Sequence, residues 1–203
     1  MNNPKNIIRR IRTEKKILFL TFDDGPHKRN TEEILDILKK ESVKAGFFLS
    51  GTEVEKYPGI AQKIFNQGHE IGNHGYEHQS GFFSNLNYIL KDIKKTDRSL
   101  IRLKIAETLF YRPPYLRIPF SLLLHPSKLL KKIILADVSV KDFQIFEPEV
   151  IIKRILAKIR PGSIILLHDN THNNKATIKA LPALISEIHE RGYRFNILSE
   201  FIT

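Results

Sequence analysis

Short apolar runs alternate with longer amphipathic stretches along most of this chain. Residues 16–22 are rich in β-branched and aromatic side chains and predict a buried strand. The amphipathic stretch after it has helical periodicity, with Asn30 expected as its N-cap. Pro58 and Gly68 are typical of the first turn and the end of a further helix. This alternation indicates a parallel α/β sheet.

The apolar pattern predicts seven strands. They are expected at residues 16–22, 47–49 (ended by Gly51), 70–71, 109–111, 133–136, 163–167 and 193–197. Further helices are expected over residues 84–106, from Pro148 to Pro161-Gly162, and over residues 176–191. No dinucleotide-binding fingerprint accompanies the strands, so seven units favour a barrel over an open sheet. We expect a basic N-terminal segment at residues 1–15 and a single folded domain over residues 16–203.

Composition limits the kinds of site that the chain can build. Its 203 residues are 41% hydrophobic and 27% charged, which is ordinary for a globular domain. It contains no cysteine, which excludes disulfides and thiolate metal sites. A transition metal would therefore have to be held by His and carboxylate side chains.

The charge balance is strongly basic, at +11. This charge favours anionic partners, but the Lys and Arg residues are scattered over predicted helix faces, which indicates a solvated surface rather than a nucleic-acid site. An anionic cell-envelope polymer is equally compatible with it. No apolar stretch has the ~20 residues of a membrane span, and no signal peptide is evident. The sequence alone therefore predicts a cytoplasmic protein, or one of the cell envelope if a leader has been removed.

Polar residues cluster where five predicted strands end. The clusters are Asp23-Asp24, the pair His74 and His78, residues 112–115, residues 137–142, and His168-Asp169. In a parallel α/β barrel the carboxyl ends of the strands form one mouth, so we expect these clusters to meet there.

Two of these clusters predict a metal site. Neighbouring carboxylates such as Asp23 and Asp24 usually mark a turn or a helix cap, but two like charges at the end of a buried strand need compensation. His74 and His78, spaced i, i+4, are expected on one side of a helical turn; the alternative is that they are ordinary core or surface histidines. Two histidines and one carboxylate would leave coordination positions open, as a catalytic site requires. Zn²⁺ is the expected ion, with Co, Ni, Fe and Mn also possible.

Together these clusters resemble the motifs of the polysaccharide deacetylases, carbohydrate esterase family four. The similar segments are Thr21-Phe-Asp-Asp-Gly-Pro26, His74-Gly-Tyr-Glu-His78, Arg112-Pro-Pro-Tyr115, Asp137 to Phe143, and Leu166-Leu-His168. The resemblance runs from about residue 16 to the C-terminus. It implies a distorted (β/α)7 barrel, with residues 16–203 as the catalytic domain, and removal of N-acetyl groups from N-acetylglucosamine-type glycans, with one divalent metal.

The resemblance also implies a role for each matching residue. Asp24, His74 and His78 would bind the metal, Asp23 would be the general base and His168 the general acid. Arg112 would hold Asp23, with Asp142 as the counter-ion of Arg112. The backbone N–H of Tyr115 would contribute to the oxyanion site, and Leu166 would line a pocket for the acetyl methyl group. Apart from the resemblance, the position of Asp169 beside His168 predicts that it orients the His168 ring; the alternative is that His168 simply caps the strand.

Four positions depart from the family pattern. Ser139 stands where the fourth motif usually has its first Asp, Phe143 where it has Trp, and Leu116 where Gly usually follows the third motif. Gly46, before Phe47-Phe48, stands where Thr is commoner. These changes affect the expected substrate more than the expected chemistry. A deacylase of a small N- or O-acyl metabolite and a glycan-binding pseudoenzyme therefore stay open as alternatives. The sequence gives no oligomeric state.

Overall fold

The strands of this chain lie side by side in one curled, parallel sheet. The fold is described from a computed structural model, over residues 6–171 and 174–202. The strands are β1 (Ile7–Ile8), β2 (Ile17–Asp23), β3 (Gly46–Leu49), β4 (Glu70–Asn73), β5 (Phe110–Tyr111), β6 (Lys132–Ile134), β7 (Val138–Ser139), β8 (Ile164–His168) and β9 (Arg194–Phe195). Their order is β1-β6-β5-β4-β3-β2-β8-β7, and β9 pairs with the amino end of β2.

Helices connect most of these strands and cover the outer face of the sheet. They are α1 (Asn30–Lys40), α2 (Gly51–Lys56), α3 (Pro58–Asn66), α4 (Leu86–Arg102), α5 (Phe120–Leu124), α6 (Pro148–Leu156) and α7 (Asn174–Glu190). The sheet curls into a half-barrel, which confirms the predicted α/β class and the distorted barrel in a single domain. No helix among the described residues has the length and apolar character needed to cross a bilayer.

Strand β2 shows how the sequence builds two apolar layers and a polar edge. Alternate residues of a strand point to opposite faces. Leu18, Leu20 and Phe22 pack against the helices, whereas Phe19 belongs to the cluster inside the barrel. Asp23 ends the inward-facing row, so its carboxylate reaches the carboxyl edge of the sheet rather than the helical layer.

Two strands, each only two residues long, were not predicted, although the equally short β5 and β9 lie within the predicted runs at residues 109–111 and 193–197. One of them, β1, lies within the expected basic N-terminal segment, where Ile7 and Ile8 pair with Ile133 and Ile134 of β6. The sheet therefore begins inside residues 1–15, of which 1–5 lie outside the described residues. The other, β7, pairs with β8 and separates Asp137 from Asp142.

The predicted helix boundaries are partly wrong. Asn30 is the first residue of α1 rather than its N-cap, and the N-cap residue Arg29 makes no side-chain cap. The ring of His27 serves instead, because its Nδ1 accepts hydrogen bonds from the N–H groups of Arg29 (3.3 Å) and Asn30 (3.2 Å). Gly51 begins a helix as well as following a strand. Gly68 follows α3 with φ +75°, as a C-terminal glycine should.

Candidate active site

Parallel strands bring four of the five predicted clusters, and part of the fifth, to one edge. Asp23 and His168 are the last residues of β2 and β8 and are paired across them, while His74 and Arg112 directly follow β4 and β5. Asp137 does not lie at this edge, so the expectation that residues 137–142 meet the other clusters is wrong for Asp137. Its carboxylate accepts from Ser163 Oγ (3.0 Å) and from the N–H of Ile164 (2.8 Å), at the opposite end of β8.

Asp24, His74 and His78 converge on one point. Oδ1 of Asp24 lies 2.8 Å from Nε2 of His78 and 3.3 Å from Nε2 of His74, and the three candidate ligand atoms lie within 4.8 Å of one another. The Asp24 Oδ1 atom is buried and has no partner with hydrogen-bond geometry. An orphaned carboxylate oxygen facing two imidazole nitrogens fits a divalent cation.

The tautomer of His74 suits metal binding. Its Nδ1 lies 2.8 Å from the backbone carbonyl of Arg112, which can only accept, so Nδ1 carries a proton and Nε2, which faces Asp24, is the nitrogen that can bind a metal. Burial favours the neutral form of the Asp24 carboxyl, but His74 and His78 hold the pKa of Asp24 well below its usual range. Burial also opposes charge on His74, while Asp23 and Asp24 raise its pKa. The two histidines therefore keep the Asp24 carboxyl in its ionised form, in which it can bind a metal ion.

The expectation that His74 and His78 share a helical turn is wrong. The segment after β4 is an irregular loop, and its two rings come together with centroids 5.0 Å apart because Gly75 (φ +79°) and His78 (φ +52°) adopt left-handed conformations. Asp24 also has a positive φ, of 79°. Two candidate ligands thus hold conformations that are unfavourable for non-glycine residues, a form of strain that concentrates at functional sites.

A buried network behind this loop was not predicted. Asn73, which precedes His74, accepts from the N–H of Gly75 (2.8 Å) and donates Nδ2 to Asp97 Oδ1 (2.9 Å). Asp97 Oδ2 lies 3.1 Å from the buried Lys131 Nζ. The network therefore fixes the backbone between the two histidines. The position of Asn73 at a strand end, directly before a predicted ligand, was the available signal; Asp97 in a long helix gave none.

Arg112 reaches Asp23 as the family resemblance implied. Its side chain is fully buried, and Nη1 donates to Asp23 Oδ1 (2.6 Å) and to Thr21 Oγ1 (2.9 Å). The guanidinium carbon lies 3.8 Å from the centre of the Phe48 ring. Nε donates to the carbonyl of Ile134 (3.1 Å). Asp23 is thereby fixed by one oxygen, while its Oδ2 faces His74 Nε2 at 3.8 Å.

Asp142 pairs with His168, and no contact of its carboxylate with Arg112 is found among the described residues. The expected counter-ion role toward Arg112 is therefore wrong. Oδ1 of Asp142 lies 2.7 Å from His168 Nδ1, and Oδ2 accepts from the His168 N–H (3.1 Å) and from Thr177 Oγ1 (2.8 Å). The strand β7 and the turn after it carry this carboxylate to β8 instead of β5. Thr177, in the first turn of α7, had no sequence signal.

The charge state of His168 follows from this pairing. Burial alone would lower its pKa, but the hydrogen bond and the charge of Asp142, with Asp23 and Asp24 further away, raise the pKa of His168 to about 9. The imidazole is therefore protonated at neutral pH and can act as an acid. Its Nδ1 is engaged by Asp142, which leaves the Nε2 proton for transfer.

Asp169 does not orient the His168 ring, contrary to expectation. It is fully buried on the other side of the loop after β2, where Oδ2 accepts from Thr31 Oγ1 at 2.5 Å. Burial raises its pKa to about 7. Its carboxylate lies against Gly25, where a Cβ atom would come within 2.2 Å of Oδ2, so only glycine fits between Asp24 and cis-Pro26.

The remaining predicted residues border the mouth. Tyr115 is 60% exposed with its ring 4.9 Å from that of His78, whereas Leu166 is buried inside the barrel. Phe143 packs edge-on against His168 with ring centroids 5.0 Å apart, so the altered fourth motif still supplies an aromatic wall.

Leu116 has φ +55°, a left-handed conformation that the usual glycine would adopt without strain. Ser139 lies in β7, opposite Leu166.

Comparison with protein families supports this arrangement. The model of the family described as polysaccharide deacetylase matches residues 10–129. A curated relative, the peptidoglycan-N-acetylglucosamine deacetylase of Bacillus cereus, is 37% identical over 177 residues. The match covers 87% of this chain and 64% of the relative, so the chain spans a little under two thirds of that protein.

Solved structures share the whole fold. A crystal structure of a peptidoglycan N-acetylglucosamine deacetylase in complex with a naphthalenyl-N-oxidanyl-benzamide is 34% identical, with a TM-score of 0.93 and coverage of 97% of this chain and 92% of that one. A family 4 acetyl xylan esterase of Clostridium thermocellum with a cobalt ion is 31% identical (TM-score 0.85; 92% and 90% covered). A CE4 family pseudoenzyme from Bacillus anthracis is 28% identical (TM-score 0.87; 97% and 69% covered).

Proposed function

We propose that this chain, which belongs to the polysaccharide deacetylase family, is a metal-dependent hydrolase that removes N-acetyl groups from N-acetylglucosamine units of a glycan. The observation that carries the proposal is the meeting of three sets of residues at one barrel mouth. These are the metal-ligand triad, an Arg-held carboxylate beside it, and a protonated histidine on the neighbouring strand. A pseudoenzyme would not need all three.

Each residue has a defined task in the proposed reaction. Asp24, His74 and His78 would hold the ion, with Zn²⁺ the expected metal. Such an ion polarises a carbonyl oxygen and lowers the pKa of a water molecule toward ~7. Asp23, fixed by Arg112, accepts a proton from the attacking water.

The chemical step balances without a further reactant. The water oxygen forms a bond to the acetyl carbonyl carbon as Asp23 takes the proton. The carbon–nitrogen bond then breaks while His168 gives the Nε2 proton to the departing nitrogen, which yields acetate and a free amine. General acid–base groups of this kind contribute on the order of 10²–10⁴-fold each.

Two further residues would complete the site. The backbone N–H of Tyr115 would donate to the carbonyl oxygen as negative charge develops there, a contact worth about 3 kcal/mol in related chemistry. Leu166, buried among the inward-facing side chains, would accommodate the acetyl methyl group. Phe143 would border the sugar beside His168.

The relatives support a glycan of the cell wall as the substrate class, since the Bacillus cereus relative is named for peptidoglycan N-acetylglucosamine. Action on this polymer would place the protein in the cell envelope rather than in the cytoplasm. We therefore propose Zn²⁺ as the metal, a cell-wall glycan as the substrate and the cell envelope as the location.

Acetate release tests the proposal directly. The metal-loaded protein would be incubated with chitin oligomers, peptidoglycan and small N-acetyl sugars, with and without chelator, beside an Asp23→Asn control. Chelator-sensitive release from peptidoglycan or oligomers supports it. Release only from small acyl compounds would assign the chain to a metabolite deacylase. Glycan binding without release by the fully metal-loaded protein would make it a pseudoenzyme.

A further inference from the structure

A group of exposed apolar side chains lies beside the loop that carries His78. Phe83 is 93% exposed, and Phe82, Phe120, Leu123 and Leu124 are also exposed. We call these five residues the apolar edge. Large apolar side chains that cluster at a surface are typical of interaction sites, whereas single ones are not.

Two segments form the apolar edge and are joined to each other. The N–H of Phe120 donates to the carbonyl of Phe82 (3.1 Å), and Ser121 Oγ donates to the carbonyl of Ser84 (3.0 Å). The rings of Phe82 and Phe83 lie 4.8 Å apart, edge to face. Helix α5 buries only Leu122 in the core and turns its other large apolar side chains outward. The edge is thus a fixed surface and not a set of unrelated side chains.

The charged residues within the two segments that contain the apolar edge are all basic. None of the chain's 22 Asp and Glu residues lies in residues 78–91 or 108–136, although Glu77 and Asp92 directly flank the first segment. Arg117 and Lys128 are exposed on either side of α5, and Lys91 borders a surface cleft with His125, which follows α5. The surface therefore combines exposed apolar groups with positive charge, and the two segments that form it contain no carboxylate.

We propose that the apolar edge docks on an anionic lipid surface. Apolar side chains with flanking cations bind such surfaces by two additive effects, the burial of apolar area at the headgroup boundary and attraction to anionic headgroups. A second copy of this chain would bring the same cations together, which opposes self-association through this surface. A soluble glycan offers no apolar layer for Phe83 and Leu124 to enter. The inference does not depend on the proposed deacetylase activity.

Vesicle sedimentation tests this inference. The protein would be mixed with vesicles of phosphatidylcholine and phosphatidylglycerol in equal amounts, and with vesicles of phosphatidylcholine alone. We expect binding to the anionic vesicles that weakens as salt rises. Phe83→Ser and Leu124→Ser should each weaken binding by about tenfold. Lys128→Glu should weaken binding to anionic vesicles specifically.

Phe146→Ser is the matched control, because Phe146 is 74% exposed and lies outside the two segments. It should bind vesicles like the unaltered protein, and all four variants should keep the circular dichroism spectrum. No vesicle binding by the unaltered protein, or equal losses in Phe146→Ser and Phe83→Ser, would overturn the inference. A second result would also overturn it: the unaltered protein forms a concentration-dependent dimer and does not bind vesicles, and Phe83→Ser dissociates that dimer.

Discussion

His168 Nδ1 lies 2.7 Å from Asp142 Oδ1, and the backbone N–H of His168 binds the second oxygen of the same carboxylate at 3.1 Å. One buried carboxylate thus fixes both the ring and the backbone of the proposed general acid. Since this contact raises the pKa of His168 to about 9, the acid form persists through neutral pH.

Asp142→Asn should lower the pKa of His168, because the opposing effect of burial then dominates. The histidine would lose its proton at neutral pH, and the alkaline fall of kcat/KM should move from about pH 9 to below pH 7. Imidazole NMR titration and the pH profile measure the two effects. Thr177→Val, which keeps the carboxylate charge, should shift both values less. An unchanged alkaline limb in Asp142→Asn would show that His168 is not the acid.

The same pairing should make the stability of the metal-free protein depend on pH. The pKa of His168 is raised from 6.5 to about 9 on folding, so its contribution is fully present below pH 6.5 and is lost as pH rises through 9. The contribution is about 3 kcal/mol at most. Urea unfolding at pH 6.5 and 9.5 should show a smaller difference for His168→Gln than for the unaltered protein. Equal differences would contradict the pairing.

Removal of a metal ligand should abolish metal binding. His74→Ala leaves Asp24 with one imidazole, and the site then has too few ligands for tight binding. Isothermal titration with Zn²⁺ should show at least a hundredfold weaker affinity, and elemental analysis should find little metal. His125→Ala removes an exposed histidine after α5 and should bind like the unaltered protein. Full occupancy in His74→Ala would refute the ligand assignment.

Asp23→Asn should separate catalysis from metal binding. The amide can still accept from Arg112 but cannot take a proton from water, so acetate release should fall by about 10²–10⁴-fold while Zn²⁺ affinity changes little. Parallel titration and acetate assays measure this split. Undiminished deacetylation by the variant would remove Asp23 from the role of base.

Asn73→Ala should weaken metal binding although Asn73 is not one of the three metal ligands. It removes the acceptor for the Gly75 N–H and one donor to Asp97, so the loop between His74 and His78 loses its support. Changes behind a metal ligand usually cost about 10–100-fold in affinity. Zn²⁺ titration measures this loss, and Asn87→Ala, an exposed site at the start of α4, serves as the control. Equal Zn²⁺ affinities of the Asn73→Ala and Asn87→Ala variants would show that the loop keeps its conformation without the side chain of Asn73.

Most of the fold and most residues of the site could be predicted from the sequence alone. Apolar runs at residues 16–22 and 163–167 predicted the central strands because both faces of those strands are buried. The pairs Asp23-Asp24 and His74/His78 stood out because charged side chains are rarely placed at the end of a buried apolar strand without a partner or a ligand. The two-residue strands β1 and β7 escaped prediction, because two residues by themselves cannot show a period, whereas the equally short β5 and β9 lie within longer predicted runs.

Tertiary structure decided which of these residues are partners. Sequence spacing placed His74 and His78 on a helix, but backbone contacts of the loop with α2 and Asn73 brought them together in an irregular conformation. The family resemblance paired Asp142 with Arg112, whereas β7 delivers it to His168. Nothing local distinguishes Asp142 from Asp137 or Thr177 from any helical threonine. Their partners lie 26 or more residues away along the chain, and only the register of β7 and β8 and the packing of α7 bring them within hydrogen-bond distance.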